Sequence, residues 1–231
     1  MHDPETGKIT DAQIFMAVLG ASNYTFAEAA PSQALPYWIK SHIHAFEFFK
    51  GVPHTLVPDN LKSGITHPSR YEPDVNLTYN DMALHYDTAV VPARPRKPKD
   101  KAKVENAVKF AESWIMAALR NHTFFSFSEL NKAIAQKLIG LNNKKFQKFD
   151  TTRREVFKKI DKPALKPLSV AGYEYAEWKK ARVNIDYHIE FDRHYYSVSY
   201  QLRKEQVDIR FADTTVEVLF KDRRVAPSSE L

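Results

Sequence analysis

Residues 45–60 read AFEFFKGVPHTLVPDN, and this stretch decides the fold because it joins a helix end, a turn, a strand and an acid. A helix is predicted over residues 32–50, where apolar side chains recur at spacings of three and four, and Gly51 ends it. Residues 54–57 predict a short strand that runs into Asp59. An acid that follows the carboxyl end of a strand lies where open α/β sheets place their active sites.

A hairpin is predicted before this stretch. Residues 12–20 (AQIFMAVLG) form a nearly continuous apolar run, which is typical of a strand buried on both faces. Residues 24–30 are its predicted partner, with Ser22 and Asn23 at the turn. Another short strand is predicted over residues 88–91.

Two helices are predicted after these strands. The first covers residues 102–119, and Glu105 falls in its first turn. Its apolar face has helical spacing and consists of Val104, Val108, Ala111, Ile115 and Leu119. The second runs from Ser128, the expected N-cap, to residue 141, where Asn142 and Asn143 are expected to stop it.

The C-terminal part changes to the period of a β-strand. Apolar residues alternate with other residues over 183–191, 196–200, 207–211 and 216–220, and turn-forming pairs separate these runs. Short strands at this spacing predict a small antiparallel sandwich or barrel.

Composition excludes several classes of site. The chain has 231 residues and no cysteine, so disulfides and thiolate metal sites are excluded. It has six glycines and no glycine-rich phosphate loop, which argues against ATP binding by this chain. No apolar run approaches the roughly 20 residues that span a bilayer, so a cytoplasmic location is expected.

Positive charge is concentrated in two segments of a chain whose net charge is +6. Residues 94–103 contain six basic residues and one acid, and residues 144–166 contain nine basic residues and three acids. Such segments are typical either of solvated surface loops or of a surface that binds a polyanion.

Asp59 and Glu105 are the candidate ligands of a divalent cation. An acid at a strand end and an acid on a nearby helix can converge on one hard cation, for which carboxylate oxygens are suitable ligands. Taken singly, each acid also has a structural explanation. Asp59 suits a Pro-Asp-Asn turn, and Glu105 is favoured by the dipole at a helix start.

Three longer stretches resemble the IstA-type transposases of insertion sequences, which are relatives of retroviral integrases and of the phage Mu transposase. They are VPDNLKSGI at 57–65, VVPARPRKPKDKAKVEN at 90–106 and YEYAEWKKARVNIDYHIEFDRHYYSVSYQL at 173–202. The resemblance implies an α/β RNase H-like catalytic core followed by a small all-β barrel like the C-terminal domain of Mu-type transposases. It implies a core over residues 1–143, a basic linker over 144–172 and the barrel over 173–226.

The resemblance also implies a catalytic Asp-Asp-Glu triad that holds Mg²⁺ or Mn²⁺. Asp59 matches its second aspartate and Glu105 its glutamate. The first aspartate is expected before the turn Asp3-Pro4-Glu5-Thr6-Gly7, and Asp3 itself is not assigned to the triad. These residues by themselves are therefore expected to be inactive or nearly so.

The implied reaction is two-metal phosphoryl transfer, in which a DNA 3′ end is cleaved and then joined to target DNA. The implied partners are DNA (element ends and target), other copies of the chain in a transpososome, and a separate AAA+ helper ATPase. The location implied is the bacterial cytoplasm, in association with the nucleoid. The candidate DNA-binding residues are Asn60, Lys62, Arg94, Arg96, Lys97, Lys99, Lys101 and Lys103.

Two other functions remain open from the sequence. The chain can be a non-catalytic module that binds DNA or assembles with a transposase, as a remnant of an element would. It can also be a plain RNase H-like nuclease.

Overall fold

The computed structural model describes residues 7, 9–58, 65–67, 74–91, 98–147, 149–213, 215–221, 223–225 and 229–230. The side chains of residues 65–67, 74–75, 98–104, 107 and 229–230 lie outside this description. The chain divides into two compact units, Met1–Ala171 and Gly172–Leu231, called here the core unit and the C-terminal unit. Within the described residues, no helix is both long enough and apolar enough to cross a membrane.

The core unit begins with the predicted hairpin. Strands β1 (Gln13–Val18) and β2 (Thr25–Ala30) pair antiparallel, from Gln13 opposite Ala30 to Val18 opposite Thr25. Asn23 lies in the left-handed region, with φ of 53°, and forms the predicted turn. Burial differs from the prediction, because Phe15 is the one buried residue of β1 and the other five are half-buried.

Helix α1 (Leu35–Phe49) packs against this hairpin where a helix was predicted. Its buried Ala45 and Phe49 share a cluster with Phe15, Tyr24 and Phe26. The helix ends because Lys50 adopts a left-handed conformation, with φ of 54°.

Two short strand pairs and one helix follow. Strand β3 (Thr55–Leu56) pairs parallel with β6 (Ala89–Val90), and both lie within predicted strands. Between them β4 (Ile65–His67) pairs with β5 (Asp74–Val75), and helix α2 (Leu77–His85) follows. The sequence analysis did not predict β4, β5 or α2.

Two long helices cover the other side of the hairpin. Helix α3 (Pro98–Leu119) and helix α4 (Phe127–Asn143) meet through Ala111, Ile115, Ile134 and Leu138, which cluster with Ala27 and Ala29 of β2. The N-cap of α4 is Ser126, whose hydroxyl accepts a hydrogen bond from the Glu129 N–H. The prediction of Ser128 was wrong because the helix begins one residue before Ser128, at Phe127.

Two asparagines of α4 occupy the outer edge of β2. The side-chain amide of Asn142 accepts from the Thr25 N–H (3.0 Å) and donates to the Thr25 carbonyl (2.8 Å). Asn131 makes the same pair of bonds with Ala29, at 2.6 and 3.0 Å. Asn142 therefore lies inside α4 and pairs with the sheet, whereas the sequence predicted that it would stop the helix.

Residues 144–171 belong to the core unit. They contain α5 (Arg153–Val156), a π-helix (Phe157–Asp161) and α6 (Lys162–Ala164), where the resemblance implied a basic linker. Phe157 is buried and stacks on Tyr24, with ring centroids 4.4 Å apart. The segment therefore contributes to the core of this unit.

The last part of this segment lies against the start of β3. Val52 and Lys166 exchange two backbone hydrogen bonds, each 2.9 Å long. A Cβ atom at Gly51 would lie 2.8 Å from the Leu165 Cβ and 2.9 Å from the Lys166 carbonyl oxygen. Glycine is therefore needed at position 51 for the two chains to approach.

The C-terminal unit is all-β, as predicted. Four strands occur in the order β12 (Arg223–Arg224), β11 (Thr215–Phe220), β10 (Gln206–Phe211) and β7 (Glu177–Arg182), and β13 (Ser229–Glu230) also pairs with β11. Strands β8 (His188–Phe191) and β9 (His194–Ser197) form a hairpin. Val183, Ile189, Val207, Ile209 and Val218 are central in one shared core.

His42 on α1 is buried and neutral, and this predicts a loss of stability in acid. Its Nδ1 donates to the Trp38 carbonyl (2.8 Å), so its Nε2 accepts from the Tyr79 hydroxyl (3.0 Å). Burial lowers the pKa of His42 from 6.5 to about 4. Because the folded pKa is lower than the unfolded one, the stabilisation is complete above pH 6.5 and is lost as the pH falls towards 4.

Between pH 6.5 and 4 this one group is expected to remove about 3 kcal/mol from the free energy of unfolding. Urea denaturation at several pH values would measure the change in the protein and in the variant His42→Gln. The variant is expected to lose less stability over this range than the protein does. Equal pH dependence in both would contradict the prediction.

Candidate active site

Glu105 lies on α3, which begins earlier than predicted. Because the helix starts at Pro98, Glu105 is about two turns from its N-terminus instead of in the first turn. Further along the same helix, Ala111 and Ile115 are buried against α4 and β2, and they fix the helix on the core. The Glu105 side chain is exposed and makes no hydrogen bond or ion pair with the described part of the chain.

Asp59 lies outside the described residues, so its distance from Glu105 stays a prediction. The residues before it are described: β3 pairs with β6 through hydrogen bonds from the Ala89 N–H to the His54 carbonyl (3.0 Å) and from the Val91 N–H to the Leu56 carbonyl (2.8 Å). Pro58, which immediately precedes Asp59, is buried. Because β3 and β6 are parallel, both end at the same edge of their sheet.

The candidate DNA-binding residues fall into two groups. Asn60, Lys62, Arg94, Arg96 and Lys97 lie outside the described residues. Lys99, Lys101 and Lys103 lie in the first turns of α3, although their side chains are not described. The basic stretch 94–103 therefore continues into the helix that carries Glu105, whereas the sequence predicted that it would precede that helix.

A divalent cation fits the available ligands to a limited extent. Among the described residues, no group of three or more histidine, aspartate or glutamate side chains is placed to hold a metal ion. Glu105 offers carboxylate oxygens that the described residues leave open to solvent, and these are ligands that Mg²⁺ and Mn²⁺ prefer. Glu105 therefore offers a suitable ligand for such a cation, and Asp59 is the proposed second ligand.

A cluster of aromatic and basic side chains holds residues 144–153 against α3, and the sequence analysis did not find it. The Lys144 ammonium lies 4.3 Å from the ring centroid of Trp114. The Arg153 guanidinium lies 5.2 Å from the ring of Phe110 and 5.0 Å from that of Phe146. The capping box of Thr152 with Glu155 signals the start of α5 in the sequence, but no local signal indicates the contact with α3.

Comparison with known proteins finds one matching family model and several similar proteins. Residues 168–227 match the family model of the Mu transposase C-terminal domain. A protein of Sinorhizobium fredii named as the transposase y4uI is 48% identical over 225 residues, which are 97% of this chain and 44% of that protein. A protein of Burkholderia multivorans named as the transposase of insertion sequence IS408 is 50% identical over 216 residues, covering 94% of this chain and 42% of that protein.

A third relative, from Pseudomonas fluorescens and named as the transposase of insertion sequence IS1162, is 50% identical over 224 residues. The match covers 97% of this chain and 40% of that protein. The chain thus spans less than half the length of these curated relatives.

Two solved structures share the fold. The catalytic core domain of BIV integrase superposes with a TM-score of 0.50 at 15% identity, covering 70% of this chain and 91% of that one. A chain of the simian T-cell lymphotropic virus intasome, solved with the PP2A regulatory subunit B56 gamma, gives a TM-score of 0.51 at 13% identity. That match covers 96% of this chain and 73% of the other.

These likenesses define the class as an RNase H-like integrase core with a Mu-type C-terminal domain, which confirms the fold implied by the resemblance. Over nearly its whole length the chain is similar to proteins named as transposases of bacterial insertion sequences.

Proposed function

We propose that these residues act in DNA transposition, as a catalytic part of an enzyme that cleaves a DNA 3′ end and joins it to target DNA. The observation that carries the proposal is the parallel pairing of β3 with β6. Asp59 follows β3, and residues 92–97 lead from β6 to the helix of Glu105, so both acids belong to segments that leave one sheet edge. Six residues span at most about 20 Å, which limits how far the start of α3 lies from that edge.

In this scheme Asp59 and Glu105 hold Mg²⁺ or Mn²⁺, which, when bound, supplies charge stabilisation to the attacking and leaving oxygens of a phosphodiester. The residues of the chain itself hold the metal ion and orient the DNA. Glu105 presents an anionic group at a position fixed by the packing of α3. Lysines and arginines of the stretch 94–103, together with Asn60 and Lys62, are proposed to contact backbone phosphates and hold DNA without reading its sequence. No residue forms a covalent bond to DNA.

None of the 231 residues is assigned to the first position of the triad. We therefore expect these residues by themselves to bind the metal weakly and to cleave DNA poorly. The proposed partners are element-end and target DNA, further copies of the chain in a transpososome, and a separate AAA+ helper ATPase. The proposed place of action is the bacterial nucleoid.

The proposed meeting of Asp59 and Glu105 is testable because the chain has no cysteine. The double variant Asp59→Cys/Glu105→Cys, treated with a short bifunctional thiol reagent, is expected to give an efficient intramolecular cross-link. The matched control pairs Asp59→Cys with Glu112→Cys, which is exposed and lies about 10 Å further along the same helix. Much less cross-linking is expected there.

Equal or absent cross-linking in both pairs would contradict the shared metal site. The non-catalytic role in DNA binding or assembly would then be the better account of the chain.

A further inference from the structure

We propose that the helical segment 153–164 carries a second DNA-contact surface, which binds the phosphate backbone of the DNA whose cleavage is proposed above. This surface, called here the basic helix face, consists of Arg154, Lys158, Lys159 and Lys162. It is separate from the stretch 94–103, and the proposal rests on the proposed function because it supposes that the partner is DNA.

The basic helix face has the charge and exposure that a polyanion requires. Arg154, Lys158 and Lys162 recur at intervals of four residues, which places them on one side of the helical segment. The three lysines are exposed and Arg154 is half-buried. Within the described residues, no ion pair engages any of these four side chains.

The two acids of the segment are bonded to the protein itself. Glu155 accepts from the Thr152 N–H (2.8 Å) and from the Thr151 hydroxyl (3.0 Å), and the backbone bond to Thr152 is the main cause of its lowered pKa. Asp161 accepts from the Ser22 N–H at 3.0 Å. The two carboxylates therefore accept hydrogen bonds from the protein, whereas the basic side chains of the basic helix face are open to solvent.

The segment is fixed on the elements of the candidate active site. Arg153 is buried between the rings of Phe110 and Phe146, and it also donates to the Leu141 carbonyl at 3.4 Å. Phe110 lies on α3, only about 8 Å along the helix axis from Glu105. At the other end, Lys166 pairs with Val52, three residues before β3.

This placement identifies the kind of ligand. A surface held on both α3 and the approach to β3 is within reach of a duplex whose scissile phosphate lies at Glu105, since one DNA turn is about 34 Å long. Lysine is a flexible point charge that contacts phosphates on any sequence, so the basic helix face is suited to holding DNA rather than to recognising bases. It would strengthen the binding of the DNA that flanks the cleavage point.

The test uses the full chain and a fluorescent random-sequence DNA duplex, with Kd measured over a range of salt concentrations. The variant Lys158→Gln/Lys159→Gln/Lys162→Gln is expected to bind about 10- to 100-fold more weakly at 0.1 M salt. Its plot of log Kobs against log salt is expected to be shallower by about 2 to 3, because three phosphate contacts are lost.

The matched control is Lys40→Gln/Lys132→Gln/Lys137→Gln, which removes the same charge from α1 and α4. It is expected to bind DNA nearly as the unaltered chain does. If both triple variants weaken binding equally, or neither does, the basic helix face is overturned while the proposed function stands. If the unaltered chain shows no salt-dependent DNA binding, both proposals are contradicted.

A second measurement needs no variant. Acetylation of lysines in the unaltered chain is compared with and without excess duplex, and modified sites are quantified by mass spectrometry. DNA is expected to slow acetylation of Lys158, Lys159 and Lys162 several-fold relative to Lys132 and Lys137. Equal rates at the two groups would overturn the proposal.

Discussion

If Glu105 holds the metal as proposed, its replacement by glutamine is expected to lower DNA strand transfer about a thousandfold or more, because several kcal/mol of transition-state stabilisation would be lost. Glutamine keeps the length of the side chain and a carbonyl oxygen but loses the negative charge. Since Glu105 is exposed, the free energy of unfolding is expected to change by less than about 0.5 kcal/mol. The loss would therefore report chemistry and not folding.

The measurement uses a protein that also contains the part of the relatives that this chain does not match. A suitable protein is a chimaera in which the chain replaces the matching region of the Pseudomonas fluorescens relative, with which it shares 50% identity. Transposition of a marked element is counted for the chimaera, for Glu105→Gln and for the control Glu112→Gln. The control is expected to retain activity, and a Glu105→Gln protein as active as that control would refute the assigned role.

Local patterning made the hairpin and three of the helices predictable. In β2 and in α1, α3 and α4, most of the buried residues are apolar, so the apolar pattern of the sequence largely follows burial. The buried polar exceptions are Thr25, Ser41, His42 and Asn142. Ends were less predictable than elements. Ser126 and Ser128 both suit an N-cap, and only the backbone conformation decides between them.

Helix α2 was missed because its two leucines are exposed, although its Tyr79, Met82 and Ala83 are buried. Leu77 and Leu84 are 46% and 70% exposed, whereas Thr78 and Tyr79 are 4% and 0% exposed. The exposed leucines therefore obscure the apolar face that Tyr79, Met82 and Ala83 form at helical spacing. The signal that was present is local, since the Asn76 side chain caps the helix by accepting from the Thr78 and Tyr79 N–H groups.

Alternation also misled the prediction over residues 183–191, which were taken as one strand. Strand β7 ends at Arg182 and β8 begins at His188, with a turn between them in which Tyr187 has φ of 66°. Ile185 and Tyr187 continue the alternation but are exposed. Strand β7 itself (EWKKAR) was missed because it is largely polar and is defined by its pairing with β10.

The candidate site was accessible to sequence reasoning only in part. Spacing and resemblance indicated Asp59 and Glu105 as candidate metal ligands. Such ligands are recognisable in a sequence because each occupies a fixed position in its motif. The contacts of Arg153 with Phe110 and of Lys166 with Val52 join residues far apart in the chain. No local period records such contacts, and a basic run with two prolines has the composition of a linker even when it packs on the core.

Replacement of Asn142 by leucine is expected to lower the free energy of unfolding by about 4 kcal/mol, because the Thr25 N–H and carbonyl would both lose their partner in a buried place. Leucine has a similar shape, so the cost arises from two unsatisfied backbone groups and not from a cavity. Urea denaturation compares it with Asn143→Leu, at an exposed neighbour on the same helix, which is expected to cost less than about 1 kcal/mol. Similar losses in the two variants would mean that the amide pairing contributes little, and that β2 is held on α4 by its apolar contacts alone.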